Sequence, residues 1–308
     1  MSRKIDVLRD FFLVTEKLAA YPGFGRVLGL DAGTMLQNQD RLIYNAGHLQ
    51  FEYKIPRHFV NKKVPLSGFL AIFDEMTTYA IVATDRKKRP GVSVSLSAEM
   101  MGDVAVMGDS IQINAEVVKS GRVMAFSKAE AIDPTSGQVI CKGRHIKYLP
   151  MPWLTELALG PLMPLLKWFV SYFYDGKTTT TQSGAPRRLE DVLKFEETSA
   201  NQQSARFLVE PDHCNPMGAA HGGCQAMGME VLGQNYAAKT SSNSHVLKSM
   251  SVSYMSTGKK ELVLDANWIH QTEYSGSMSV QVASSSGKPV SEGVLHFVVD
   301  HSAKKKCE

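Results

Sequence analysis

The sequence predicts an α+β protein built from two copies of one unit, each a long central helix against an antiparallel sheet. Three observations carry this. A strand, an apolar helix-like stretch and four further strand-like runs occur in the same order twice. A shift of 155 residues places Gly68 on Gly223, Glu75 on Glu230 and Met100 on Met255. Later in the copies the shift shortens to 150, where Gly137 meets Gly287 and Gly143 meets Gly293.

The elements follow in chain order. Residues 1–40 form an N-terminal helical region, because MSRKIDVLRDFFLVTEKLAAYPGF reads as an amphipathic helix. The first copy, residues 41–150, opens with a strand from His48 to Ile55 and continues into SGFLAIFDEMTTYAIVATD. Its four remaining runs are VSVSLSAEMM, SIQINAEVV, RVMAFSKAEAID and QVICKGRHIKYL, each bounded by Gly, Asp or Pro. The second copy, residues 187–301, repeats the order. SARFLVEP is its first strand and GGCQAMGMEVLGQNYAAK its helix, followed by VLKSMSVSYMS, ELVLDANWIH, SMSVQVASSS and PVSEGVLHFVVD.

Between the copies, residues 151–186 break the pattern. WLTELALGPLMPLLKWFVSYFY is long enough to cross a membrane. Its two prolines favour a pair of crossover helices packed on the domains, with Trp153, Trp168 and the Tyr/Phe cluster suited to a peripheral membrane contact through residues 153–174. TTTTQSGAP reads as a flexible linker and residues 302–308 as a basic tail.

Hydrophobic residues make up 44% of the 308 and charged residues 21%, as in an ordinary globular protein. The net charge of +4 is too mild for a nucleic-acid binder and suits an anionic ligand. Cys141, Cys214, Cys224 and Cys307 show no paired spacing, so neither a metal centre nor a disulfide framework is expected. Asp6, Asp10 and Glu16 argue against a mitochondrial presequence, and no signal-peptide cleavage pattern follows. The expected location is cytoplasmic or within an intracellular organelle, the mitochondrion included, and not secreted.

The run NPMGAAHGGCQAMGME at 215–230 resembles the signature of PaaI-type hotdog thioesterases: an Asn, a His-Gly-Gly turn opening the central helix, and an acid two turns later. In the first half, RPGVSVSLSAEMM, GDSIQINAEVVKSGRVMAFSKAEAID and GQVICKGRHIKYL are similar to acyl-CoA thioesterases of that family. The resemblance implies two fused hotdog domains, a pseudo-dimer in one chain, that hydrolyse acyl-CoA. No cofactor is implied, since coenzyme A is part of the substrate. Hotdog proteins often associate further, so a homo-oligomer of pseudo-dimers is expected.

The family's chemistry requires backbone N–H groups at a helix N-terminus to polarise the thioester carbonyl, and a carboxylate to activate water or attack. Gly222 and Glu230 are eight residues apart. At about 1.5 Å per residue they are roughly 12 Å apart along one helix, too far to share one thioester carbon. Two antiparallel helices remove the difficulty, each placing its first turn beside the other's acid. One site would then combine Asn215, Gly222 and Gly223 with Glu75 and Ser93. The other would combine Ser67 and Gly68 with Glu230 and Lys248, or Leu247 if the register slips by one. This second site is degenerate, with Val60 or the adjacent Asn61 at the Asn position and Leu66 at the His position. Asp74 competes with Glu75 as the base, and Glu230 could instead pair with Lys248. His221 reads as a helix-start hydrogen-bonding residue.

Arg144, His145 and Lys147 could meet coenzyme A phosphates, or form a charged strand edge. Phe69, Phe73, Met76, Met227 and Met229 would line the acyl chain between the central helices. The competing function is a non-catalytic acyl-CoA-binding hotdog protein, a regulator or a subunit of a larger complex. A hotdog hydratase fits less well, because no Asp stands at a suitable spacing from His221.

Overall fold

The computed structural model describes residues 3–18, 23–56, 64–101, 109–173, 192–198, 203–241 and 243–299. Val60 and Asn61, the TTTTQSGAP stretch, the basic tail and Cys307 lie outside them.

Among the described residues, twelve strands form one antiparallel sheet. They are β1 (Leu42–Asn45), β2 (His48–Lys54), β3 (Val92–Met100), β4 (Ser110–Ser120), β5 (Met124–Ile132) and β6 (Val139–Tyr148) from the first copy. The second contributes β7 (Phe195–Glu197), β8 (Ser204–Leu208), β9 (His245–Tyr254), β10 (Glu261–Gln271), β11 (Ser275–Ser284) and β12 (Pro289–Val299). The order across the sheet is β1-β2-β4-β5-β6-β3-β9-β12-β11-β10-β8-β7, which reads the same from either end once each strand is replaced by its copy. At the centre, β3 pairs with β9 through Ser95↔Ser253 and Ala98↔Met250, two pairs that exchange under the 155-residue shift. An internal dyad therefore passes between them. Main-chain hydrogen bonds across this seam tie the halves into one sheet.

Two helices pack against the sheet, α4 (Leu66–Thr84) and the equivalent helix Gly222–Thr240, here α7. Nearly every residue of α4 is buried, which explains its lack of a polar stripe. The matched glycines have a packing reason. A Cβ on Gly143 would meet the Phe73 ring at 2.4 Å, and one on Gly293 would meet Met229 Sδ at 2.5 Å, so each strand yields to a central-helix side chain.

The N-terminal region is three helices: α1 (Arg3–Leu18), α2 (Gly23–Leu28) and α3 (Ala32–Gln37). Phe12 packs edge-on against Tyr79 of α4, with ring centroids 4.8 Å apart. The Tyr53 and Tyr79 hydroxyls donate to the Leu28 and Leu30 carbonyls at 2.8 and 2.7 Å, pinning the segment between α2 and α3. Phe24 N donates to Cys214 O at 2.9 Å, which carries this region onto the second copy.

The apolar stretch between the copies folds as α5 (Trp153–Leu159) and α6 (Met163–Phe173), broken at Gly160. With 7 and 11 described residues, neither helix is long enough to cross a bilayer within the described chain. Lys87 reaches Glu156 of α5 at 2.7 Å, and Lys167 of α6 reaches Asp10 of α1 at 2.6 Å. The opposite face of α6, with Leu165, Trp168 and Tyr172, is exposed.

Candidate active site

α4 and α7 pack against each other so closely that a Cβ on Gly223 would lie 2.3 Å from the Ala71 Cβ. That contact leaves no channel between the helices. Phe69, Phe73, Met76, Met227 and Met229 are accordingly sealed in the core, and the acyl-lining role expected of them is corrected. The space lies to one side instead. A cavity of about 1060 Å³ is bounded by α1, α3, the start of β3, the end of β6, α5 and the loop leading into α7. Its wall includes Asp74, Glu75, Ser93, Asn215, His221, Gly222 and Tyr254. The apolar part comes from Phe11, Phe12, Val92, Met151, Leu159 and Met217.

His221 joins the two halves. It is the N-cap of α7, and its Nδ1 accepts the Gly223 N–H at 3.0 Å. Nδ1 therefore carries a lone pair, which puts the proton of the neutral ring on Nε2. Nε2 faces Glu75 Oε1 of the first copy at 3.0 Å and Asp74 Oδ2 at 3.8 Å. Phe24 covers the imidazole, with ring centroids 5.5 Å apart. Capping consumes the Gly223 amide, and Gly223 does not border the cavity. Gly222, one residue earlier, does line it, and its amide makes no hydrogen bond among the described residues. Of the two glycines, only Gly222 stands at the cavity.

Asn215 Oδ1 accepts from Met217 N at 3.0 Å and Ala219 N at 3.2 Å, shaping the loop before α7. Two backbone donors on Oδ1 fix the amide's orientation and leave Nδ2 as a donor at the cavity wall.

Asp74 and Glu75 diverge, because successive helix residues are about 100° apart around the axis. Glu75 turns to His221, whereas Asp74 turns to β3 and β6. Ser93 Oγ donates to Asp74 Oδ1 at 3.1 Å, and Lys147 Nζ lies 3.5 Å from the same oxygen. His145 Nε2 is 3.0 Å from Ser93 Oγ, and its Nδ1 is 2.6 Å from Thr77 Oγ1. Ser93 thus serves Asp74 rather than Glu75. Burial alone would raise the pKa of Asp74, but Lys147, then His145 and His221, more than offset it and hold the carboxyl well below its usual range. Burial pushes His145 down to about 3.

The expected phosphate contacts are also rearranged. β6 lies inside the sheet between β5 and β3, so it is not an edge strand. Its alternation turns His145 and Lys147 inward to Asp74 and Arg144 outward to solvent. The three do not form one surface. Phe24 and Tyr254 were absent from the sequence reading, since neither stands near the His-Gly-Gly motif in the chain.

The dyad-related position is closed. Ser67 N donates to Glu230 Oε2 at 2.7 Å, and Gln234 Nε2 donates to Oε1 at 2.9 Å. Burial raises the Glu230 pKa, with those donors opposing. Lys248 is half-buried on β9 and is not among the partners of Glu230 within the described residues. Gly68 is buried in the first turn of α4.

No family model matches the chain. In structure it is similar to the tesB protein of Mycobacterium avium subsp. paratuberculosis, with a TM-score of 0.55 at 10% identity over 87% of this chain and 98% of that one. A hot dog fold protein of unknown function from Alicyclobacillus acidocaldarius is matched with a TM-score of 0.50 at 11% identity, over 84% and 95%. At such identities these likenesses concern the fold, which is the hotdog fold. In sequence it is 33% identical to mouse acyl-coenzyme A thioesterase 13 over 152 residues, 48% of this chain and 99% of that relative. One whole relative thus corresponds to about half of the duplicated chain, and on that match the chain belongs to the hotdog thioesterase family of acyl-coenzyme A thioesterase 13.

Proposed function

We propose that this thioesterase hydrolyses the thioester of acyl-CoA at one composite site, with the carbonyl held by the second copy and the water activated by the first. The observation that carries this reading is the 3.0 Å contact between His221 Nε2 and Glu75 Oε1 in the wall of the large cavity. It brings the N-terminus of α7 against a carboxylate of α4.

In this reading the Gly222 N–H and Asn215 Nδ2 donate to the thioester oxygen, at a helix end where the backbone carries positive partial charge. Glu75 accepts a proton from water as the water oxygen attacks the carbonyl carbon. The resulting tetrahedral oxyanion collapses, the C–S bond breaks, and the coenzyme A thiolate leaves and takes up a proton. His221, donating through Nε2, orients Glu75. Asp74 is already committed to Lys147 and Ser93, and a carboxylate held that far down is a weak base. The acyl chain would run along Phe11, Phe12, Met151 and Leu159.

The test is thiol release from acyl-CoAs of increasing chain length by the purified chain and by Glu75→Gln. Hydrolysis by the first and a loss of about a hundredfold or more in the second is the expected result. Equal rates would remove Glu75 as the base. Inactivity of both on every chain length, with binding retained, would favour a non-catalytic acyl-CoA-binding role.

A further inference from the structure

Tyr254 ends β9 at the cavity wall, and the sequence motif says nothing of it. Its ring lies over the first turn of α7: a Cβ on Gly222 would come within 2.9 Å of both Cζ and the hydroxyl oxygen. The hydroxyl is fully buried, yet it has no hydrogen-bond partner among the described residues. Of the buried side-chain polar atoms described, only His245 Nε2 shares that condition. Burying a hydroxyl without a partner forfeits its hydration with nothing in return, so proteins seldom keep one without a use. Phenylalanine would fill the same volume at no such cost.

The position suggests the use. The hydroxyl sits beside the backbone of Gly222, whose N–H also lacks a partner among the described residues, and both residues line the same cavity. Tyr254 has no counterpart in the closed half, where the 155-residue shift lands on Glu99, an exposed residue of β3. Burial, followed by the nearby Asp74 charge, raises its pKa well above the ordinary tyrosine value, so the oxygen keeps its proton and can only donate or accept as a neutral phenol.

We propose that the Tyr254 hydroxyl is a further catalytic group, donating a hydrogen bond to the thioester oxygen beside the Gly222 amide as negative charge develops there. A donor fixed in a buried site before the reaction needs no reorganisation when the oxyanion forms, which is why such donors act on the transition state more than on the bound substrate. The proposal rests on the composite-site reading and extends it by one donor.

The experiment is Tyr254→Phe in the full chain, measured beside Glu75→Gln on one acyl-CoA, with kcat and KM separated and urea unfolding of each protein. The expected result is a kcat lower by about a hundredfold, a KM within about threefold, and an unfolding midpoint unchanged or raised. A kcat within about twofold of the unaltered protein would overturn the proposal while leaving the composite site standing, provided Glu75→Gln is inactive. A kcat loss that tracks a lowered unfolding midpoint would assign Tyr254 a structural role and overturn it as well. Full activity in both variants would instead remove the composite site itself.

Discussion

The Ser67 backbone N–H donates to Glu230 Oε2 at 2.7 Å, so the second copy's carboxylate caps the first copy's central helix. At the dyad-related position the His221 imidazole stands between helix and acid, and Gly222 lines an open cavity. The same two-helix geometry gives a closed plug on one side and a cavity on the other. Glu230→Gln should therefore leave hydrolysis within about twofold, because a carboxamide can still accept from Ser67. Because burial raises the Glu230 pKa above its ordinary 4.5, the folded state binds more protons than the unfolded one. The unaltered protein should lose some stability as pH rises from 4.5 through the folded value, and the variant should lose less. Thermal unfolding across that pH range measures it. Loss of activity in Glu230→Gln with unchanged stability would mean that the plug is a working site.

Glu75 and Asp74 can be told apart by what each substitution breaks. Glu75→Gln should lower kcat by about 10²–10⁴-fold with little change in stability, since Glu75 reaches only part-way into the protein and borders the cavity. Asp74→Asn strands the Lys147 ammonium, which is buried and lies 3.5 Å from Asp74. Leaving a buried charge uncompensated costs about 3–5 kcal/mol. Urea unfolding of both variants, alongside their kcat, should show opposite patterns. A stable Asp74→Asn that loses all activity would transfer the base to Asp74.

The network around Asp74 also predicts acid lability. His145, pushed down to about 3 from 6.5 by burial, binds fewer protons folded than unfolded. Its contribution is complete above 6.5 and is lost as pH falls toward 3. The Asp74 carboxyl, held below its ordinary 3.8, adds a second loss beneath that value. His145 should contribute a fall in the urea midpoint between about pH 7 and about pH 4.5, against opposite contributions from Glu230 and His221, and His145→Gln should make the pH slope less acid-labile. An unchanged slope in the variant would place the titrating group elsewhere.

What the sequence made legible were the features carried by pattern. The central helices and most strands announce themselves by apolar runs and alternation, and the duplication aligns glycines that make room for Phe73 and Met229. The hairpin joining β1 to β2 escaped notice because its two-residue turn begins with Ala46, which holds φ +46° where Asn or Gly is usual. α2 and α3, six residues each, are too short for a periodicity to register, yet both help enclose the cavity. The inward turn of Lys147 and His145 depends on Asp74, 73 and 71 residues away in the chain. A lysine on a strand reads as solvent-facing until its partner is known. The same holds for Ser93, expected in one site with Glu75 and hydrogen-bonded instead to the neighbouring carboxylate, Asp74.

Gly223 belongs to the set that the sequence places at the thioester carbonyl, but its nearest neighbour is protein. A Cβ there would fall 2.3 Å from the Ala71 Cβ and 2.7 Å from its Cα, in the tightest part of the contact between α4 and α7. Neither position can yield, since both sit in buried helix backbone. Gly223→Ala should thus push the helices apart at a cost of about 1–3 kcal/mol or more. The damage should reach the chemistry too, because the same movement would lengthen the reach from His221 to Glu75. Ala71→Gly alone should be mildly destabilising, as a glycine inside a helix costs about 0.5–1 kcal/mol. Combined with Gly223→Ala it vacates the colliding methyl but leaves the 2.7 Å approach to the Cα of residue 71, so the double variant should recover only part of the stability and activity lost by Gly223→Ala. A double-mutant cycle on unfolding free energy and kcat reads this coupling directly. Strict additivity would show that the glycine serves the substrate rather than the helix pair.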